Sequence, residues 1–575
     1  MKNDSLQKNK QSGGQSFLHG SLILVIATAL VKIIGAVYRI PLANLLGTTG
    51  MGFYSTAYDL YVPMYSIAMA GLPIAISRIV AEHVAAGRYK DVRKTLKIAK
   101  LAFLVTGGTG FILMVAAAFL TTYGFNIFNI GSLPGILCIA PCLLFCCIMS
   151  AYRGYYEGLK NMTPTAISQV IEALGKLVFG FGIAFVVLKT TNNYSYAAAG
   201  ALIGISIGTA FSALYLSVKF RLTGKYEFTA EQMMSAPDAK NGNQTLKHLA
   251  LIAIPIVLGS LVNNITSLID VAMVQGQLAR AIEKAPEYFS TTYKNLIEYE
   301  ISDNEKFNWT VDLPNSLYGC HRGFAFSIYN LVPVLTSVLG VSAIPILASA
   351  WTRKDRAEVK TNVQTMIRTT ALIAIPAGLG IVALADNILS LLYSNEVAIA
   401  IAAPNLKILG FCAVFAGLNA PIVSMLQAIG KQGVPLKNIA VGAVLKIIIN
   451  YILVGTPEIN IVGVPVGTTL CYAYICIANF ICFVRYSGVL PNLYSTLGKP
   501  LISGSLCAAA AYLCSYFGKN LSVSQSIVTI VSLCVAVVIY FVMLAILKGI
   551  EKDDVISLPK GKKIAKVLEK LGIIR

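Results

Sequence analysis

Lysines and arginines stand inside stretches that are otherwise apolar enough to cross a bilayer: Lys32, Arg39, Arg78, Arg153, Lys176, Arg322, Lys407 and Lys446. Only Asp59, Glu157, Glu172 and Asp270 lie at comparable depth to oppose them. A cation near a helix centre costs about 2.5–3.5 kcal/mol on insertion scales, so each is expected to face a cavity or a partner rather than lipid. The chemistry that such an excess serves is the binding of an anion.

Spacing sorts these charges. In LVKIIGAVYRIPLANLLG, residues 30–47, Lys32, Gly35 and Arg39 stand at i, i+3 and i+7. They share one helical face, with the two charges about 10 Å apart. Lys176 and Lys446 fall at equivalent depths in the two halves of the chain, which puts cations on both sides of a cleft between two lobes. Arg153 and Glu157 are four apart, as are Glu172 and Lys176, so each pair is expected to meet on its own helix. Arg39 and Asp59 reach similar depth on consecutive helices and suit a fixed salt bridge or a gate. Arg78, Arg153 and Arg322 are close enough to helix ends to reach the interface. The substrate-binding set is therefore Lys32, Arg39, Lys176, Arg78, Arg153 and Lys446. The gating or charge-pair set is Asp59, Glu157, Glu172, Asp270 and Arg322.

Composition says what must position them. The chain has 575 residues, 56% hydrophobic and 13% charged, with a mean hydropathy of +0.70. That is an all-α polytopic membrane protein. Apolar runs of spanning length predict about fourteen helices, near 17–46, 53–81, 97–121, 133–157, 164–188, 196–218, 247–275, 317–350, 367–393, 397–430, 434–455, 461–484, 500–518 and 524–547. A net charge of +20 would suggest nucleic acid in a soluble protein. Here the basic residues gather in alternate loops, which predicts a multi-pass membrane protein with both termini cytoplasmic and no nucleic-acid partner.

The predicted organisation is a cytoplasmic N-terminal tail (1–16), an N-terminal six-helix lobe (17–220), a cytoplasmic linker (221–246) and a C-terminal six-helix lobe (247–487). Helices 13 and 14 (488–547) and a basic cytoplasmic tail (548–575) follow. The outer loop 276–316 is sparse in apolar residues and is expected to be a mobile or peripheral linking segment. GFYSTAYDLYVP at 52–63 matches GFAFSIYNLVP at 323–333. An even number of helices separates the two, which predicts a parallel repeat. The 12 cysteines fall in or beside apolar runs without ligand spacing and read as packing residues. No metal and no cofactor are expected, and the chain is expected to act as a monomer.

LVKIIGAVYRIPLANLLGTTGMGFYSTAYDLY, continuing through AGLPIAISRIVAEH, together with EGLKNMTPTAISQVIEALGK, resembles the stage V sporulation protein B group of polysaccharide biosynthesis proteins. That group sits within the multidrug/oligosaccharidyl-lipid/polysaccharide exporter superfamily. The resemblance implies two six-helix lobes that carry an undecaprenyl-pyrophosphate-linked saccharide, with lipid II the favoured cargo, from the inner to the outer leaflet for peptidoglycan or other cell-wall polysaccharide synthesis. The lipid II flippases of that superfamily carry Arg-x-x-Gly-x-x-Arg-Asp in helix 1. Here Lys32 keeps the first charge, Arg39 is displaced by one position and the Asp is absent. Some relatives also bind sodium; the matching positions are Asn264 or Asp270, Asn450, and Thr468 or Thr469, with Lys446 one turn away as a built-in cation. Two other readings compete. A cation-coupled multidrug efflux pump would need acidic or aromatic walls, against the net positive interior. A membrane-embedded prenyl-phosphate enzyme would need convergent acid/base or metal-binding groups, and the four histidines are scattered.

Overall fold

In the computed structural model, which describes residues 2–66, 71–124, 128–223, 228–239, 241–303, 307–518 and 524–551, every regular element is helical. The chain divides into two compact units, Met1–Ala272 and Met273–Arg575.

The first unit begins with α1 (Lys2–Ser66), broken at Gly47 by φ 60° and ψ −161°. That backbone region is in practice open to glycine alone, so the expected first helix and the start of the second form one element with a kink. α2 (Leu72–Ala85), α3 (Tyr89–Phe119), α4 (Leu133–Ile139) and α5 (Cys142–Gly158) follow, then α6 (Thr163–Gly175), a π-helical turn Lys176–Gly180, α7 (Phe181–Thr191) and α8 (Tyr194–Thr223). α9 (Ala230–Ser235) leads into α10 (Gly242–Lys284), whose last turns belong to the second unit. α5 packs on α2, α3 and α8, and α6 packs on α1 and α8. The α6–α8 seam is glycine against glycine. A Cβ built on Gly175 would lie 2.4 Å from the Gly208 Cα, and one on Gly204 would lie 2.2 Å from the Gly180 Cα. Only bare backbones approach so closely.

The second unit continues with α11 (Pro286–Thr292), α12 (Lys294–Asp303), α13 (Trp309–Gly319), a π-helical turn Cys320–Ala325, α14 (Phe326–Tyr329) and α15 (Leu331–Thr352). It ends with α16 (Arg356–Leu392), α17 (Glu396–Ala428), α18 (Gly433–Val454), α19 (Gly463–Ser487), α20 (Lys499–Gly518) and α21 (Gln525–Ile546). α17 is central, against α15, α16 and α19, while α20 and α21 pack on each other and on α16. A buried polar knot ties these last two helices down. Asn387 of α16 donates to the Thr529 hydroxyl (3.3 Å) and accepts from the Ser515 hydroxyl (2.9 Å).

Residues 276–316 correct the expectation of a mobile linking segment. Their described residues form the end of α10, α11, α12 and the start of α13, and bury Leu278, Phe289, Leu296 and Leu313 in one core with Val454, Ile461 and Val464. The Tyr293 hydroxyl donates to Asn460 Oδ1 at 2.5 Å. Phe289, Tyr293, Leu296 and Ile297 stand at helical spacing and make a buried stripe, a pattern that average composition does not register.

Among the described residues, 11 helical stretches are long and apolar enough to cross a membrane. They correspond to all the expected spans except those near 53–81, 247–275 and 317–350.

Candidate functional site

Within the first unit, α1, α5, α6, the π-helical turn and α8 enclose a cavity of about 370 Å³. Lys32, Arg153, Glu172 and Lys176 all line it, beside Tyr38, Tyr58, Tyr61 and Tyr65. Charges from α1, α5, α6 and the π-helical turn thus reach one space. Its floor is polar as well, since the Thr28 hydroxyl donates to Gln169 Oε1 (3.2 Å) and both residues are wall residues.

The pairing differs from a helix-by-helix expectation. Arg153 reaches across from α5 to α6, donating from Nε to the Ser168 hydroxyl (2.9 Å) and from Nη2 to Glu172 Oε2 (3.0 Å). Ser168 and Glu172 are one turn apart on α6, so a single guanidinium spans both; its planar fork favours such two-point contact. Arg153 is 3% exposed, whereas Glu172 keeps a fifth of its side chain open towards the cavity. The closest ion pair of Glu172 is thus with Arg153 on the neighbouring helix, a partner the helix-by-helix expectation did not include. Glu157 sits half-buried in the last turn of α5 and is not among the cavity walls.

Lys176 is held differently. Its ammonium lies 5.1 Å from the ring centroids of both Tyr38 and Tyr58. The Arg39 guanidinium lies 5.4 Å from the same Tyr58 ring. A desolvated cation over an aromatic ring gains about 2 kcal/mol, yet two cations sharing one ring repel each other. The local balance favours an anion. Tyr54, Tyr58, Tyr61 and Tyr65 form a ladder on one face of α1, with successive centroids 5.7, 6.2 and 5.5 Å apart. Tyr61 is fixed from behind, its oxygen 3.0 Å from Cys142 Sγ and 3.5 Å from Cys146 Sγ. The tyrosines were not among the residues expected at the site. Their 4-3-4 spacing is visible in GFYSTAYDLYVP and the Tyr that follows, the run that also marks the repeat.

The remaining expected residues lie elsewhere. Asp59 is buried on α1, and Arg39 is half-buried beside Tyr58. Arg78 is exposed on α2 and pairs with Glu82 at 3.0 Å. Asp270 is buried on α10, and Lys446 is buried at 1% exposure on α18 of the second unit. Arg322 lies in the second π-helical turn, its guanidinium 3.9 Å from the Phe326 centroid. Lys407 pairs with Asp386 of α16 at 2.7 Å, a carboxylate absent from the sequence-based inventory of intramembrane acids. Of the sodium positions, the Asn264 amide donates to the Ser66 hydroxyl (2.9 Å), and the Thr468 and Thr469 hydroxyls donate to backbone carbonyls. Among the described residues there is no group of three or more His, Cys, Asp or Glu placed to hold a metal ion.

Comparison with known proteins agrees with this architecture. Residues 17–286 match the family described as polysaccharide biosynthesis protein, and residues 322–452 match MatE. The chain is 24% identical to the stage V sporulation protein B of Bacillus subtilis (strain 168) over 556 residues, 95% of this chain and 98% of that protein. It is 25% identical to the lipid II flippase MurJ of the same organism over 488 residues, 82% of this chain and 83% of that one. Its fold superposes on lipid II flippase MurJ in an inward closed conformation with a TM-score of 0.64 at 13% identity, covering 92% of this chain and 98% of that one. An inward-facing multidrug resistance MATE family transporter follows at a TM-score of 0.59 and 15% identity, covering 79% and 98%.

Proposed function

We propose that the chain is a member of the multidrug/oligosaccharidyl-lipid/polysaccharide exporter superfamily and a non-enzymatic flippase for an undecaprenyl-pyrophosphate-linked saccharide, a reading supported by its similarity to the stage V sporulation protein B and the lipid II flippase of Bacillus subtilis. Lipid II is the first substrate to test. Transfer runs from the inner to the outer leaflet of a bacterial plasma membrane, by alternating access, with both termini cytoplasmic. The observation that carries this reading is the convergence of Lys32, Lys176 and Arg153 on one tyrosine-walled cavity whose single carboxylate, Glu172, is engaged by Arg153.

The chemistry follows from the walls. A pyrophosphate cannot enter hydrocarbon without a large desolvation cost, whereas its prenyl tail is already at home there. Lys32 and Lys176 supply the charges for the phosphates. Arg153, locked by Ser168 and Glu172, is a positioning residue that keeps Glu172 from cancelling them. The faces of Tyr58 and Tyr65 give amphipathic surface for sugar rings. A cavity of about 370 Å³ takes a phosphorylated sugar rather than a complete headgroup with a peptide, so the remainder of the cargo stays outside it. The same tyrosines would suit an organic cation, but Lys32 and Lys176 on the same walls repel one, and the efflux reading is set below the flippase.

The test is complementation of a flippase-deficient bacterium. Lys32→Ala is expected to insert and accumulate like the wild type and to fail to complement, and Lys32→Arg to complement in part, since the charge survives with altered geometry. Full complementation by Lys32→Ala removes Lys32 from the site.

A further inference from the structure

We infer that the first unit carries a second binding site, for a phospholipid with an anionic headgroup, in a groove between α6 and α8 on the side facing away from the cationic cavity. The groove has a volume of about 690 Å³, with Leu174, Val178 and Phe179 along one wall and Phe211, Leu214 and Leu222 along the other. All six side chains are exposed on helices apolar enough to lie within a bilayer. Hydrocarbon is the occupant such walls accept without desolvating anything polar.

One charged residue lines the groove, and it stands at the end. Gly175 faces Gly208 and Gly180 faces Gly204, so α8 runs antiparallel to α6 and the groove descends from Phe179 and Phe211 towards Leu222. Lys219 lines that lower end, half-buried, near the last turn of α8. A lysine stem lying along hydrocarbon with its ammonium at the interface attracts lipid phosphate. The direct path from the cavity to this groove through the α6–α8 seam is closed. Gln169, Glu172 and Lys176 face the cavity, Leu174, Val178 and Phe179 face the groove, and the glycine seam between them leaves no gap for a chain. The proposed lipid is a separate molecule. It touches the π-helical turn that presents Lys176, since Val178 and Phe179 belong to that turn.

The chain has only 2 tryptophans, Trp309 and Trp351, so a Tyr215→Trp probe in a Trp309→Phe/Trp351→Phe background reports the groove alone. The protein is placed in phosphatidylcholine nanodiscs containing rising fractions of brominated phosphatidylglycerol or brominated phosphatidylcholine. Half-quenching is expected at an about fivefold lower fraction of the anionic lipid, the worth of one lysine at an anionic surface. Lys219→Gln is expected to abolish that preference, and a Leu113→Trp probe on the lipid face of α3 to show none. Equal quenching by the two lipids, a preference that survives Lys219→Gln, or an identical preference at position 113 overturns the site. Stronger quenching by a brominated prenyl phosphate assigns the groove to cargo instead and also overturns it. Should the tryptophan-free background fail to fold, native mass spectrometry of wild type and Lys219→Gln from mixed micelles decides by counting retained phosphatidylglycerol. Neither readout depends on flipping activity, so the flippase reading can fail while this one stands.

Discussion

Lys176→Met separates binding from stability. In the native protein the ammonium sits 5.1 Å from two tyrosine rings, in a span where the Glu172 carboxylate is engaged by Arg153. Methionine keeps the stem length and removes the charge. The protein loses two cation–π contacts, about 2 kcal/mol each when desolvated, and is relieved of an intramembrane charge costing about 2.5–3.5 kcal/mol, so the melting temperature should stay nearly level. Binding moves the other way. A hydrogen bond to a charged group is worth about 1.5–3 kcal/mol, which makes the expected loss of affinity for a prenyl-pyrophosphate saccharide roughly 10- to 150-fold. The assay is titration of detergent-purified protein with a short-chain prenyl-pyrophosphate sugar by microscale thermophoresis, with a thermal melt on the same sample. Unchanged affinity refutes a role for Lys176 in anion binding. Lost affinity together with a collapsed melting temperature refutes the reasoning too, since it makes the lysine a structural residue.

Other sites give independent checks. Arg153→Leu should destabilise by less than the about 3–5 kcal/mol of a fully buried pair, because Glu172 is part exposed, and Arg153→Leu/Glu172→Leu should recover most of that in a thermal melt; additive losses would mean that the 3.0 Å pair does not act as a unit. Gly204→Leu should abolish accumulation of folded protein, because its Cβ meets the backbone of Gly180 at 2.2 Å and backbone cannot rotate away; normal yield on size-exclusion chromatography would contradict the seam. Phe289→Ala, at a fully buried position in the helices of 276–316, should cost about 3–5 kcal/mol and open that segment to protease added to the detergent-purified protein. An unchanged digestion pattern would return that segment to the status of a linker.

Much of this molecule is legible in its sequence, and particular residues show where legibility stops. Hydropathy locates the 11 qualifying spans, because burial in lipid is written in length and composition. Lys32, Lys176, Arg153 and Glu172 are conspicuous for the same reason, as charges where charge is costly. Their partners are not legible. The i,i+4 rule knows only one helix, and the Arg153–Glu172 bond joins two, over a register that the α5–α6 packing sets. Tyr58 and Tyr65 share a helical face by spacing alone, but Tyr38 closes the clamp on Lys176 from beyond the Gly47 kink, which requires the tertiary path of α1. Glycines 175, 180, 204 and 208 look like ordinary small residues until the two backbones are seen in contact. The fold of the 276–316 segment was hidden by averaging, since a stripe of apolar positions in helical register is diluted in a mean over the whole segment.

The central claim is that the cavity of the first unit holds the anionic head of a lipid-linked saccharide. Native mass spectrometry of the protein purified with co-extracted lipids addresses it most directly, comparing wild type with Lys32→Gln/Lys176→Gln. The account predicts a bound species with the mass of a prenyl-pyrophosphate saccharide on the wild type and its loss from the double variant, with phospholipid adducts retained by both. The same prenyl-pyrophosphate species persisting on the double variant, or phospholipid alone on the wild type, contradicts it.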